Sequence, residues 1–481
     1  MIEAKHYING KWTVGSQTME VRSPTNPADT IGVIPIAEPH EVAEAAGAAR
    51  DSSRSWHRLG HVARGNILHL AASRIENIAD DLAIMAATEM GKPIGEAKGE
   101  AMRAGAILRY FAGEGMRDIG QVIPATRPET LQYSVREPLG TVGIITPWNF
   151  PLAIPMWKIA PALIYGNTVV FKPAEFSSLT AFKMIEAIVD LFPNGVLNMV
   201  VGTGTVTGDA LIRNEDIDGI SFTGSSQVGK LIAAACVSRG AKYQLEMGGK
   251  NPVVVAEDAD LSLAVDLTVS GAMRSAGQKC TATSRVIVLK GVFERFSEAL
   301  AERVKSLNVG NPLDTNTYVG PLVSQAQQHK VLNLIEAGRR EGAVALVGGG
   351  LMPNPPAPGH FIAPSIFNNV AIDSTLAQEE LFGPVVALMR AEDIDHAIQM
   401  ANSIRYGLSA SVFTTSLSTA MAFVDRINAG LVRVNEETAG VELQAPFGGF
   451  KESSSHSKEQ GRAAMDFYTR TKTVAIWPGI S

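Results

Sequence analysis

Thr141-Val-Gly-Ile-Ile-Thr146-Pro147-Trp148-Asn149-Phe150-Pro151 opens as a short apolar run rich in β-branched residues and ends in a turn framed by two prolines. A run of this kind reads as a strand buried on both faces. Three more segments share its character: Thr168-Val-Val-Phe171, Leu197-Asn-Met-Val-Val201 and Gly219-Ile-Ser-Phe222, each followed by a loop and a helical stretch. Strands of this type alternating with helices imply an α/β fold with a parallel sheet covered on both sides. Such sheets bind ligands in crevices at the carboxyl ends of their strands. The residues that follow each run are therefore the place to look for chemistry.

The alternation continues downstream with different spacing. Pro252-Val-Val-Val-Ala, Arg285-Val-Ile-Val-Leu289, Val344-Ala-Leu-Val347, Pro384-Val-Val-Ala-Leu388, Ala410-Ser-Val-Phe413 and Gly430-Leu-Val-Arg-Val434 predict a second α/β domain, with Pro353-Asn-Pro-Pro-Ala-Pro-Gly359 as a surface loop. Upstream, residues 6–35 hold short strand pieces broken by Asn-Gly, Ser-Pro and Asn-Pro turns. Ile67, Leu68, Ala71, Ile75, Ile78, Leu82 and Met85 then recur at helical spacing, which predicts one helix over 62–90 stopped by Gly91 and Pro93, and a second over about 95–113. Gln121-Val-Ile-Pro and Thr130-Leu-Gln-Tyr-Ser-Val predict a two-stranded ribbon, and Lys472-Thr-Val-Ala-Ile-Trp477 a terminal strand. A ribbon buries little of itself, so both elements need an edge or a partner subunit to pair with.

At 481 residues the chain is too long for one core. A net charge of −6 offers no basic surface for nucleic acid and no polybasic membrane patch. No apolar run reaches the roughly 18 residues of a membrane span, and Met1-Ile-Glu-Ala-Lys lacks an apolar signal region. Two cysteines make no disulfide framework, and no Cys/His cluster has metal-ligand spacing, so no metal is expected. A cytoplasmic protein with two free thiols is the expectation.

One of those cysteines lies in Gly271-Ala-Met-Arg274-Ser-Ala-Gly277-Gln278-Lys279-Cys280-Thr281, with cations six residues before it, one before it and five after it. Positive charge lowers a thiol pKa, and the thiolate is a nucleophile; the alternative is a small core residue. Asn149 can donate to an oxyanion or simply fill its turn. Lys172 and Glu175, in Phe171-Lys172-Pro173-Ala174-Glu175, suit a nucleotide ribose, or a helix start. Phe222-Thr223-Gly224-Ser225-Ser226-Gln227-Val228-Gly229 is a strand, a glycine turn and a helix N-terminus, which can face a pyrophosphate. Gly202-Thr-Gly204-Thr-Val-Thr-Gly208 approaches a dinucleotide fingerprint with one residue too many before its last glycine. Glu246, in Leu245-Glu246-Met247-Gly248-Gly249-Lys250-Asn251-Pro252, ends a strand where an apolar setting can tune it as a general base. Cys236, in an apolar helical setting, reads as core.

Taken in order, Thr-Pro-Trp-Asn-Phe-Pro at 146–151, Lys-Pro-Ala-Glu at 172–175, Phe-Thr-Gly-Ser at 222–225, Glu-Met-Gly-Gly-Lys-Asn-Pro at 246–252, Gly-Gln-Lys-Cys at 277–280, Glu-Glu-Leu-Phe-Gly-Pro at 379–384 and Pro-Phe-Gly-Gly at 446–449 give the chain a likeness to a known family. From about residue 7 to 478 it resembles the NAD(P)-dependent aldehyde dehydrogenase superfamily. The resemblance implies a Rossmann-like coenzyme domain from 1–118 and 140–248, a catalytic domain from 249–450, and a β oligomerisation element from 119–139 and 462–481 in a homodimer or homotetramer. It makes Cys280 the nucleophile, Asn149 with the Cys280 backbone N–H the oxyanion hole, and Glu246 the base that activates water. Lys158 and Glu459 correspond to a proton-relay pair. NAD, with NADP as a secondary coenzyme, would lie along Ile145, Thr146, Pro147 and Trp148. Lys172 and Glu175 would hold the adenine ribose, Ser225 the pyrophosphate and Glu380 the nicotinamide ribose, with Phe382 near the nicotinamide. Pro173, Ala174, Gly204, Phe222, Thr223, Gly224, Gly229, Glu246, Met247 and Gly248 would also contact the coenzyme.

Phe150, Trp157, Arg274, Lys279, Thr281 and Phe447 would face the aldehyde. Arg274 matches a carboxylate-binding arginine of succinate-semialdehyde dehydrogenases, although Trp157 stands where those enzymes have a second arginine. The 277–285 segment and Lys451-Glu-Ser-Ser-Ser-His-Ser-Lys-Glu-Gln-Gly461 look most like 2-oxoglutarate-semialdehyde (2,5-dioxopentanoate) dehydrogenases, the latter departing from the superfamily pattern Ser-Gly-x-Gly-Arg-Glu. The expected reaction is oxidation of a short carboxylated semialdehyde through a thioester. The alternatives are a succinate-semialdehyde or broad-specificity enzyme, a coenzyme-A-acylating one, and a non-catalytic member of the fold. The carboxylate at Glu246 favours hydrolysis over transfer to coenzyme A.

Overall fold

The structure, a computed structural model, describes residues 1–479. Two seven-stranded sheets carry the molecule. Across the first, the order is Lys242–Glu246, Gly219–Thr223, Thr141–Ile145, Thr168–Lys172, Leu197–Met199, His6–Ile8 and Lys11–Thr13. The first five run parallel, His6–Ile8 runs antiparallel to them, and Lys11–Thr13 runs antiparallel to His6–Ile8. The chain steps outward from Thr141–Ile145 to 168 and 197, then returns to place Gly219–Thr223 on the other side of its starting strand. That reversal opens a crevice beyond Ile145 and Thr223, where a doubly wound sheet binds its ligand.

The second sheet has the order Val344–Val347, Ser365–Asn368, Val385–Ala391, Thr283–Leu289, Asn251–Val255, Ser409–Phe413 and Leu431–Val434. It is parallel except for Val344–Val347, an antiparallel edge that the apolar pattern alone did not distinguish. Ser365–Asn368 is a further strand without a sequence expectation. Only four residues, Met247 to Lys250, join the end of Lys242–Glu246 to the start of Asn251–Val255. The carboxyl ends of one sheet thus meet the amino ends of the other, and Cys280 lies just ahead of Thr283–Leu289. Each sheet has its own apolar core, Val142, Ile144, Val169 and Phe171 in one and Val253–Val255 and Val286–Val288 in the other.

One helical expectation needs correction, and one helix was missed. The predicted helix over 62–90 is two, His61–Asn77 and Ala79–Met90, broken at Ile78 (φ −108°, ψ 18°). Leu68, Ala71, Ile75 and Leu82 still reach one core across the break, so the apolar spacing hides it. Gly91 ends the second helix in the left-handed conformation (φ 81°), as a C-terminal glycine does. Helix Pro39–Arg58 was not foreseen, because its buried face is Val42, Ala45, Ala46, Ala49 and Trp56, nearly all small. A capping box between Glu38 and Glu41, with Pro39 at the first position, was its available signal.

The ribbon is Gly120–Ile123 and Leu131–Pro138, and the terminal strand Thr469–Ile476 pairs along it from Thr469–Pro138 to Ile476–Leu131. Both orphan elements find each other. The last two residues of the expected 462–481 segment lie outside the described residues. No described helix is long and apolar enough to cross a membrane.

Candidate active site

A cleft of about 170 Å3 lies beyond the strand ends of the first sheet. Its walls are the Pro147–Asn149 loop, the Thr223–Ser225 turn, Met247 and Gly248, with Cys280, Glu380 and Phe382 from the second half of the chain. Trp148 and Phe382 meet edge to face, ring centroids 5.5 Å apart. Helix Ser226–Ser238 begins at this wall, its N-cap Ser225 Oγ accepting from the Val228 N–H. The free N–H groups of that first turn can receive an anion. Glycines set the wall thickness. A Cβ on Gly229 would lie 2.4 Å from Met247 Sδ, and one on Gly248 would lie 2.3 Å from Glu380 Oε2. Glu380 in turn accepts from the Gly249 N–H at 3.1 Å.

Farther along the strand ends, Lys172 is buried and donates to the Pro173 carbonyl at 2.9 Å. Burial lowers its pKa to about 8, with Glu175 opposing. The Gly204–Gly208 turn passes beside it: a Cβ on Gly208 would stand 3.7 Å from Lys172 Cε. Ile145 and Ala174 are half-buried at their strand ends. Gln327 and Lys330, on helix Gln325–Arg340, also line the cleft. The sequence reading missed them, for a helix face some fifty residues after Cys280 carries no local motif.

The segment that delivers Cys280 is unusual backbone. Ser275 (φ 53°), Ala276 (φ 52°) and Gly277 (φ 69°) are left-handed in succession. Each non-glycine residue there is strained and needs outside support. Glu96 of helix Ile94–Glu114 supplies it, Oε1 accepting from the Ser275 N–H at 3.1 Å and Oε2 from Ser275 Oγ at 2.7 Å. Gln278 locks the next step, its Oε1 accepting from the Val323 N–H at 3.0 Å. Its carbonyl accepts from Asn149 Nδ2 at 2.9 Å, so the predicted oxyanion donor is tied to the turn that carries the thiol. An amide has two N–H donors; the second stays free. Asn251 Nδ2 holds the far side through the carbonyls of Cys280 (2.8 Å) and Ala282 (2.9 Å).

The three cations near Cys280 in sequence do not serve it. Arg274 is exposed and lies over the Tyr318 ring, 5.6 Å from its centroid. Lys279 is buried and donates to the Ser270 carbonyl at 3.3 Å. Arg285 is buried against the carbonyls of Lys250, Met400 and Ala401. The Cys280 thiol is instead pushed up to about 12, by burial first and then by the Glu380 and Glu246 carboxyls, while the N–H groups of Thr281 and Cys280 pull the other way. The expectation of a thiolate stabilised by neighbouring cations is thus corrected: strand and turn geometry carry those side chains elsewhere.

Glu246 is buried and raised well above the carboxylate range, by burial first and then by Glu459. Ser454, Lys158 and Lys458 oppose that rise. Lys158 and Glu459 come together as a buried ion pair, with Lys158 Nζ also donating to Ser221 Oγ at 3.0 Å. Glu459 is placed by a backbone bridge to Phe447, 2.7 Å in each direction. Trp157 packs on Phe447, ring centroids 5.5 Å apart. Lys92 sits 3.8 Å over the Phe150 ring and pairs with buried Glu100, which accepts from the Leu152 and Ala153 N–H groups. Thr281 is buried, its carbonyl accepting from Thr438 Oγ1 at 2.8 Å. Lys92, Glu96 and Glu100 were not foreseen; Glu96 and Glu100 reach the site from helix Ile94–Glu114, and Lys92 from the loop before it. Among the described residues no cluster is suited to a metal ion.

A thiol on a supported turn, an amide tied to it and a buried carboxyl, all at a doubly wound crevice, are the equipment of thioester-forming aldehyde oxidation. The aldehyde dehydrogenase family matches residues 12–474, and the chain belongs to it. It is 49% identical over 478 residues to the alpha-ketoglutaric semialdehyde dehydrogenase of Bacillus subtilis, covering 98% of each chain. It is 40% identical to the 2,5-dioxopentanoate dehydrogenase of Saccharolobus solfataricus, over 96% of this chain and 97% of that one. Betaine aldehyde dehydrogenase from Staphylococcus aureus, crystallised with NAD+, superposes with a TM-score of 0.97 at 32% identity, covering 99% of this chain and 95% of that one.

Proposed function

We propose that this enzyme oxidises 2-oxoglutarate semialdehyde (2,5-dioxopentanoate) to the acid with NAD+, through a thioester on Cys280. The observation that carries the mechanism is the left-handed turn at 275–277, which presents Cys280 and the Asn149 amide from one anchored segment. The substrate comes from the two semialdehyde dehydrogenases to which the chain is similar over nearly its whole length.

The cleft fits a dinucleotide. Thr223 Oγ1 is buried there without a protein partner, the helix at Ser226 presents free N–H groups, and the glycines at 224, 229 and 248 leave no side chain in the way. Ser225 and that helix would hold the pyrophosphate, Lys172 and Glu175 the adenine ribose, and Glu380 the nicotinamide ribose. Glu175 beside the ribose favours a free 2′-hydroxyl, and so NAD over NADP. When bound, the coenzyme supplies the hydride acceptor. The Cys280 thiol gives its proton to solvent water, and the thiolate sulfur adds to the aldehyde carbon. The Asn149 amide and the Cys280 N–H stabilise the oxyanion. Loss of hydride from that carbon gives the thioester. Glu246 then takes a proton from water, which adds to the thioester carbon; the carbon–sulfur bond breaks and the acid departs. The Lys158–Glu459 pair behind Glu246 offers a route for that proton.

Arg274 would bind the substrate carboxylate, and succinate semialdehyde is the competing substrate. A charge-assisted hydrogen bond contributes about 1.5–3 kcal/mol, roughly 10- to 150-fold. Arg274→Ala should therefore lower kcat/KM by that factor for 2-oxoglutarate semialdehyde while propanal loses little. Equal losses for both substrates would remove Arg274 from substrate recognition. The same assay across a semialdehyde panel ranks the substrates, and a preference for uncharged aldehydes would overturn the carboxylate reading.

The three-stranded sheet suits a homo-oligomer, for Val122, Leu131, Ile476 and Trp477 leave apolar surface exposed on it. The two free thiols suit a reducing cytoplasm.

A further inference from the structure

The segment that departs from the superfamily pattern wraps the strand carrying Glu246. Ser454 forms a backbone bridge with Glu246, the Met247 N–H donates to the Ser453 carbonyl at 2.7 Å, and the Ser455 N–H donates to the Leu245 carbonyl at 2.9 Å. Ser454 lies in that departing segment, and its hydroxyl is engaged twice. It accepts from the Gly449 N–H at 2.6 Å and donates to Glu246 Oε2 at 2.5 Å. No other described group donates to that carboxyl, and Oε1 is buried without a partner. Oε1 rests in the space left by Gly448, where a Cβ would come within 2.6 Å of it. Glu246 is accordingly drawn toward the 448–458 loop and does not line the cleft, although Cys280 does.

Resting on the base role given to Glu246 above, we propose that Ser454 is a positioning residue for the hydrolytic step: its hydroxyl parks the Glu246 carboxyl on the loop and keeps it ionisable there. The charged groups around that carboxyl make the hydroxyl necessary. Glu459 repels it; Lys158 is already paired with Glu459; Lys458 points its ammonium at the Gly448 and Gly449 carbonyls, 2.6 and 2.7 Å away. Cys280, the remaining titratable neighbour, is itself disfavoured as a thiolate by Glu246. Parking therefore lowers the carboxyl pKa through one donated hydrogen bond.

Deacylation can be read without coenzyme, using p-nitrophenyl acetate as the probe. The Cys280 thiolate attacks the ester carbonyl, p-nitrophenolate leaves, and water activated by Glu246 hydrolyses the acetyl thioester. Removing the donor destabilises the carboxylate, so its pKa rises. In Ser454→Ala the acid limb of deacylation should move up by roughly one pH unit, a tenfold change in acidity, with the p-nitrophenolate burst retained. Ser454→Thr keeps the hydroxyl and should restore the limb. Ser454→Gly, which also removes the hydroxyl, serves if the alanine variant does not fold, with the same shift expected. An acid limb at the wild-type position in the alanine or glycine variant overturns the proposal. Glu246→Gln distinguishes the underlying reading: slow deacylation without an acid limb upholds the base, whereas wild-type deacylation removes both the base and its positioning residue.

Discussion

At the scale of single residues the site disfavours the charged forms that its chemistry uses, the Cys280 thiolate and the Glu246 carboxylate. Cys280 has no cationic neighbour and is raised to about 12, so in the coenzyme-free enzyme it is a thiol at neutral pH. Its alkylation by iodoacetamide should be slow at pH 7 and rise about tenfold per pH unit toward pH 10, since the thiolate fraction grows by that factor below the pKa. A rate already level near pH 8 would show a thiolate stabilised by some further group. Glu246 follows the same logic on the carboxyl side: burial and Glu459 favour its neutral form, and the Ser454 hydrogen bond, Lys158 and Lys458 oppose them. In Glu246→Gln, rapid mixing should show a burst of about one NADH per active subunit and then slow turnover, because hydride transfer needs no base at that position. Loss of the burst would place Glu246 before hydride transfer. The sequence made Cys280, Asn149 and Glu246 legible because each lies in a compact local motif. It misled on the cations at 274, 279 and 285, since a left-handed turn and a following strand send neighbours in sequence to different sides.

At the scale of elements, the parallel strands were readable because short β-branched runs fit a sheet buried on both faces and little else, as at 141–145, 168–172 and 251–255. Helix Pro39–Arg58 was not, for an alanine face carries almost no hydrophobic contrast. What the sequence could not reveal at all is the contact between helix Ile94–Glu114 and the 275–277 turn, which spans 179 residues of chain. Glu96 holds two donors of Ser275 there, and the strain of the left-handed residues predicts its worth. Each left-handed non-glycine residue costs of order 1–3 kcal/mol unless the surroundings hold it. Glu96→Ala should therefore leave the fold and dinucleotide binding in place but lower kcat/KM by about 10- to 100-fold, with slower Cys280 alkylation as the thiol wanders. Glu96→Asp, keeping the carboxylate but not its reach, should fall between. Coenzyme binding lost together with activity would mean that Glu96 supports the domain rather than the turn.

At the scale of the molecule, the sheet formed by Gly120–Ile123, Leu131–Pro138 and Thr469–Ile476 stands apart from both cores, and its stability has to come from contacts made elsewhere. Within the subunit it is tied down by few side chains: Arg136 pairs with Asp466, Lys472 with Glu137, and Arg127 lies 4.1 Å over the Trp477 ring. These pairs are largely exposed, and exposed ion pairs contribute about 0–1 kcal/mol each. Val122, at 79% exposure, and Leu131 and Ile476, each at 51%, would not be left to water on a sheet this small unless another subunit covers them. Truncation after Tyr468 tests this. It removes the strand that pairs with the whole of Leu131–Pro138, yet Phe467 and Tyr468, which are buried in the first core, remain. Light scattering should then report dissociation toward the monomer, and thermal unfolding should move to lower temperature and become dependent on protein concentration in the full-length enzyme alone. None of the removed residues lines the dinucleotide cleft, so the truncated subunit should still bind NAD. An assembly unchanged in mass after truncation would mean that the oligomer is built through a different surface and that the exposed apolar residues of this sheet have no partner in it.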